Sequence, residues 1–140
     1  MAETEAKAEL EPGAAVPELT VTPDKYVPHR YAGASGDFNP IHIDKEFATA
    51  VGLPQNILHG LYSMAQVARA ATQAAGGDPR SLKRLSVQFR GMGIPEQEIR
   101  VTGTVRETRD GRVVIDTVAE QSGNQIIRNA EAELEPQKRF

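Results

Sequence analysis

The sequence predicts an α+β domain in which one long helix lies across a twisted antiparallel sheet. Three features predict it: a helical apolar pattern from Ile57 to Ala75, alternating strands confined to the residues after it, and turn dipeptides between those strands. In the helix Leu61, Met64, Val67, Ala68, Ala71 and Ala75 recur at spacings of three and four. They make one small apolar face that allows close packing on a sheet. Gly76-Gly77-Asp78-Pro79 stops the helix. Leu85, Val87 and Phe89 then alternate within Leu82 to Arg90, as do Ile99, Val101, Gly103 and Val105 further on. Asp110-Gly111 reads as a hairpin turn into Val113-Val114-Ile115 and Val118. Gly123-Asn124 reads as a second, before Ile126-Ile127 and Ala130 to Leu134. At least four antiparallel strands in a meander result, and their unpaired edges make a dimer the expectation.

Ahead of the long helix, residues 1–15 mix Ala with Glu and Lys, reach Pro12-Gly13 and are expected to form a mobile tail; residues 16–140 form the single domain. Leu19-Thr20-Val21-Thr22 has strand character up to Pro23. Thr22 and Pro23 resemble an N-cap and first helical position, so a helix is expected toward Tyr31 or Ala34, kinked or divided by Pro28. The segment Tyr31 to His42 contains Gly36, Asn39 and Pro40, turn formers that argue against regular structure and place Asp37 and His42 on an irregular loop. Asp44 is placed to cap a short helix, Lys45 to Val51, which Gly52 and Pro54 end.

At 140 residues the chain can bury a core unaided, and its lack of cysteine excludes disulfides, thiolate nucleophiles and thiolate zinc sites. A net charge of −3, scattered basic residues and the absence of tryptophan argue against nucleic acid as a partner. No apolar run approaches the roughly 20 residues of a membrane span, and the acidic first residues do not resemble an export signal. A cytoplasmic location is the expectation.

Two places could carry chemistry. Asp37 and His42 lie five residues apart across a turn, so a loop that folds back brings a carboxylate and an imidazole to one water molecule. The alternative is that Asp37 caps the turn while His42 packs. Asn39 reads as a brace for the loop. His59-Gly60 begins the long helix, where free backbone N–H groups carry the positive end of the helix dipole. Gly60 either polarises a carbonyl from its N–H or is needed only for close packing. Weaker readings are a metal set of Asp37, His42, Asp44 and His59, which lacks a structural-zinc spacing, and Ser35 as a nucleophile, which lacks the Gly-x-Ser-x-Gly elbow. Arg84, Arg90, Arg100 and Arg106 read as a solvated sheet face from which one or two could meet a substrate phosphate.

Tyr31-Ala-x-Ala-Ser-Gly-Asp37-Phe-Asn39-Pro40-Ile-His42-x-Asp44, with Ala48, Gly52 and Ile57-Leu-His59-Gly60-Leu61, resembles the signature of the MaoC-like, or R-specific enoyl-CoA hydratase, branch of the hot-dog fold. Val87-Gln-Phe89 and Gly103-Thr-Val105 look like the family's later strands, and the likeness runs from about Tyr26 to Leu134. The resemblance implies a long helix wrapped by a curved sheet, and a dimer. It implies that Asp37 and His42 hold the water added to a trans-2-enoyl thioester, giving an (R)-3-hydroxyacyl product, or the reverse. Gly60 N–H would hold the thioester oxygen, with Ser35, Asn39, Pro40 and His59 supporting the site. No metal and no cofactor are expected, coenzyme A or a carrier protein entering as part of the substrate. A homodimer or a heteromer with another hot-dog subunit is expected; such a subunit active only with a partner chain, or a thioesterase, are the alternatives. Where many relatives have Pro-Val and Gly-Asp, this chain reads Phe89 to Glu98, a loop expected to border the acyl or pantetheine channel.

Overall fold

Apolar alternation in the second half of the chain builds one antiparallel sheet, on which the alanine-rich helix lies. In the computed structural model, which describes residues 10–136, the elements are β1 (Ala15–Val21), α1 (Val27–Ser35), α2 (Pro40–Ile43), α3 (Lys45–Ala50), α4 (Gly60–Ala74), a 3-10 turn (Pro79–Ser81), β2 (Leu82–Phe89), β3 (Ile99–Arg109), β4 (Arg112–Gln121) and β5 (Asn124–Leu134). The strand order is β1-β3-β4-β5-β2. Helix α4 touches all five strands. Val67, Ala70 and Ala71 are buried against Ile99, Val101, Ile115 and Ile127. Among the described residues no helix is long and apolar enough to cross a membrane.

The four later strands are not a simple meander. Only β3, β4 and β5 follow one another through tight turns, while β2 pairs with β5 at the edge away from β3. The physical reason is visible in the connections. Asp110 and Gly111, and Ser122 and Gly123, all have positive φ, as tight hairpin turns require, whereas nine residues from Arg90 to Glu98 separate β2 from β3. The second turn is centred on Ser122-Gly123, one residue before the expected Gly123-Asn124. Gly103 is needed where β3 crosses its neighbour closely: a Cβ there would lie 2.8 Å from Thr117 Cγ2 and 2.9 Å from the Asp116 carbonyl oxygen.

The buried side of α4 comprises Ser63, Gln66, Val67, Ala70, Ala71 and Ala74, rotated from the expected face, and Leu61 is 59% exposed. Alanines around much of the helix blur its apolar stripe, and Gln66 tolerates burial because its amide bonds the Tyr62 carbonyl and the Arg69 guanidinium. Helix α1 starts at Val27, not at Pro23, so Pro28 falls in the first turn, where its missing N–H costs nothing. Asp24 prepares that start by accepting from Tyr26 N–H.

Of the expected tail, residues 1–9 lie outside the described residues, but Leu10 and Ala14 pack on the core and Gly13 N–H donates to Val105 O at 2.9 Å. The strand expected at Leu19 to Thr22 spans Ala15–Val21. On the outer sheet face, Arg84, Arg100 and Arg106 pair with Glu133, with Glu18 and Glu98, and with Asp116 and Glu131.

Candidate active site

The segment Tyr31 to His42 is more regular than its turn formers suggest. Tyr31 to Ser35 complete α1, Gly36 ends that helix at φ +80°, and Asn39 caps α2 by accepting from Ile41 N–H at 3.2 Å. Only Gly36 to Asn39 form an irregular link. A chain of short-range bonds holds it. Ser35 Oγ donates to Tyr31 O at 2.7 Å and accepts from Asp37 N–H, and Asp37 Oδ1 accepts from Asn39 N–H, the last two at 3.2 Å. Pro40 supplies the first position of α2, which places His42 one turn into the protein, 7% exposed.

His42 Nδ1 lies 2.8 Å from Ile57 O. A carbonyl can only accept, so Nδ1 carries the proton and Nε2 presents a lone pair. That lone pair sits 3.8 Å from Asp37 Oδ2, whose side chain is 54% exposed. The gap is too long for a direct hydrogen bond and suits one water bonded to both groups.

His59 locks this arrangement to α4. It is the N-cap residue, 3% exposed, and its Nε2 donates to Asp37 O at 2.9 Å. Its ring stacks on His42 with centroids 3.8 Å apart and planes at 21°, and Tyr31 lies on it at 4.7 Å. Tyr62 meets Tyr31 edge-on, and burial pushes its phenol above its ordinary value. The Gly60 N–H, first in the helix, has no intrahelical acceptor, as holds for every first-turn amide, and His59 makes no side-chain cap there. A Cβ on Gly60 would come within 3.1 Å of the Phe89 ring.

Asp37, His42 and His59 each offer a ligand atom, all within 4.8 Å of one another. They fit a metal poorly, because the two imidazoles lie in nearly parallel planes with centroids 3.8 Å apart, and one ion at about 2.0–2.2 Å cannot lie in the plane of both rings. Asp44 is elsewhere employed, accepting from Phe47 N–H at the start of α3. Ser35 is held by the loop, and among the described residues its Oγ bonds only the Tyr31 carbonyl and the Asp37 N–H, not a base of the kind a nucleophile needs.

Several contributors escape sequence reasoning. The Ile57 carbonyl that sets the His42 tautomer, and Asn56, whose amide donates to His42 O at 3.0 Å, act through contacts with no residue-type signature. Phe89 gives no hint from its strand that it reaches Gly60.

A family model described as MaoC like domain matches residues 5–126. The fatty acid synthase beta subunit hexB of Dothistroma septosporum is 36% identical over 110 residues, 76% of this chain but 6% of that protein. The chain thus spans a small part of that curated relative. The R-hydratase PhaJ1 of Pseudomonas aeruginosa superposes with a TM-score of 0.81 at 26% identity, covering 94% of this chain and 85% of that one. The ChsH1-ChsH2 complex of Mycobacterium tuberculosis shares the fold at 0.80 and 24% identity, over 89% and 97% of the respective chains. With the Asp37 to Gly60 segment inside the matched residues, the chain belongs to the MaoC-like hydratase and dehydratase family, built on the hot-dog fold.

Proposed function

We propose that the site adds water reversibly across the double bond of trans-2-enoyl thioesters, giving (R)-3-hydroxyacyl thioesters. The observation that carries this reading is the 3.8 Å gap between Asp37 Oδ2 and a His42 Nε2 whose tautomer leaves its lone pair free. Water placed there is oriented by the carboxylate and gives its proton to His42 as its oxygen bonds to the β-carbon. Electrons move into the thioester carbonyl, and the Gly60 N–H, at the positive end of α4, stabilises the oxygen that becomes charged. The α-carbon then takes a proton from the dyad on the same face. One H and one OH have been added, and the dyad is restored. This acid–base cycle calls for no cofactor. Ser35, Asn39, Pro40 and His59 position the reacting groups.

Acyl-CoA and acyl-carrier-protein thioesters are both substrates of the right chemistry, and a dimer of two hot-dog units is the assembly we favour. Similarity to the P. aeruginosa R-hydratase supports the reaction class. The test is hydration of crotonyl-CoA, followed by loss of enoyl absorbance, with product chirality read by stereospecific dehydrogenases and free thiol monitored in parallel. Formation of the (R)-product without thiol release is expected. Thiol release in place of hydration would move the attack to the carbonyl carbon and overturn the assignment.

A further inference from the structure

The loop from Arg90 to Glu98 departs from the family pattern and borders a cavity of about 550 Å³. Its other walls are the tip of the β4–β5 hairpin and Pro54. The size is that of a site for a small molecule. Among the described residues two arginines, Arg90 and Arg128, line it, and no carboxylate does.

These arginines differ from the others on the sheet and its hairpins. Arg84, Arg100, Arg106, Arg109 and Arg112 each lie within 4.0 Å of an acidic side chain. Among the described residues no carboxylate lies that close to Arg90 or Arg128, and the buried Nε of Arg128 has no hydrogen-bond partner at all. An unpaired buried cationic donor costs stability, so a wall that keeps one, in a chain of net charge −3, calls for an anionic occupant.

Placement says which part of the substrate that occupant is. Arg90 follows Phe89, whose ring lies against Gly60, and Gly93 O accepts the Leu58 N–H at 2.8 Å just ahead of His59. One short segment therefore borders the thioester site at one end and the cavity at the other. The loop is also held in shape. Gln121 Oε1 accepts from Ile94 N–H, its Nε2 donates to Ile94 O and Gln97 O, and Ser122 Oγ donates to Gln97 Oε1. Gly91 lets it approach β5, since a Cβ there would lie 2.9 Å from Gln125 O.

We propose that Arg90 and Arg128 bind the phosphate of the substrate's phosphopantetheine handle, making this cavity the specificity site for the carrier end of the thioester. The proposal rests on the thioester reading above. Guanidinium groups suit it because they present planar paired donors to phosphate oxygens. Both coenzyme A and a carrier protein supply that phosphate.

The test compares crotonyl-CoA, crotonyl-carrier protein and crotonyl-pantetheine, which lacks phosphate, as substrates of the full chain and of Arg90→Gln, Arg128→Gln and Arg128→Lys. Because Arg90 is exposed, its replacement does not threaten the fold. The KM for phosphate-bearing substrates should rise about 10-fold or more on loss of either guanidinium, without a matching fall in kcat. Crotonyl-pantetheine should show no such rise. A rise with crotonyl-CoA alone assigns the site to coenzyme A, and one with the carrier protein alone assigns it to that partner. Arg84→Gln, on the outer sheet face, is the control. An unchanged KM for both phosphate-bearing substrates, or an equal rise with crotonyl-pantetheine, overturns the proposal. Calorimetry with coenzyme A and pantetheine separates this failure from that of the hydratase reading. The cavity predicts that the parent chain binds coenzyme A more tightly and that Arg90→Gln narrows the difference, even if no thioester is hydrated; equal binding of the two overturns it.

Discussion

Replacing Asp37 by Asn isolates one oxygen of the site. Asp37 Oδ1 accepts from Asn39 N–H at 3.2 Å, and an asparagine keeps that acceptor. The other oxygen, 3.8 Å from His42 Nε2, becomes an NH2 that donates where the carboxylate accepted. The side chain is 54% exposed, so the change costs the fold less than about 1 kcal/mol. The chemical step loses its orienting anion, an effect of about 10²–10⁴ in kcat. At about 1.36 kcal/mol per decade, that is about 2.7–5.4 kcal/mol of barrier, several times the structural cost. Steady-state hydration of crotonyl-CoA beside a urea unfolding curve reads both quantities. The expected outcome is an unchanged unfolding midpoint and a collapsed kcat. A folded variant whose kcat stays within about fivefold of the parent, about 1 kcal/mol, would refute the reasoning.

His59 is a positioning residue, and two variants separate its hydrogen bond from its ring. His59→Gln keeps an N–H for Asp37 O and should retain most of kcat, while His59→Phe keeps only the stack and should lose up to about 100-fold with KM little changed; equal kcat in both discards the role. Gly103→Ala forces a methyl onto the Asp116 carbonyl and should destabilise by about 1–3 kcal/mol, seen as a lower urea midpoint; an unchanged midpoint contradicts the close crossing. The Arg30 guanidinium holds the Asp24 carboxyl below its ordinary 3.8, so stability from this pair is present above that pH and lost as pH falls through the depressed value. An NMR titration should find Asp24 depressed and Arg30→Gln should return it toward normal; no movement removes the assigned cause.

Local signals carried well from sequence to structure, and contacts between distant segments did not. Asn39 and Asp44 are caps because short oxygens before a helix accept its first amides, a rule confined to a few residues. The break from Gly36 to Asn39 is legible for the same reason, although His42, expected on the irregular loop, lies in α2. The facing of those two side chains is another matter, since it depends on Ile57 O and on a ring contact between His42 and His59. Nothing in the spacing of these residues encodes that stack. Strand alternation located β2 to β5, yet β2 sits beside β5 and away from β3, a pairing between distant segments that no turn signal announces. The face of α4 was obscured by its own composition, because alanine is at home on either side of a helix.

The amide of Gln121 separates two selective pressures. It ties the 94–97 stretch to β4 through three hydrogen bonds, whereas Asp37, His42 and Gly60 are braced through α1, α2 and α4. Side chains that line the cavity, such as Met92 and Gln125, can therefore be exchanged while Gly93 O keeps its bond to the Leu58 N–H ahead of His59. On the phosphate reading of Arg90 and Arg128, carrier preference is open to change at this wall, and the loop from Arg90 to Glu98 is the segment to graft, with the bond from Leu58 N–H to Gly93 O as the link a graft must keep.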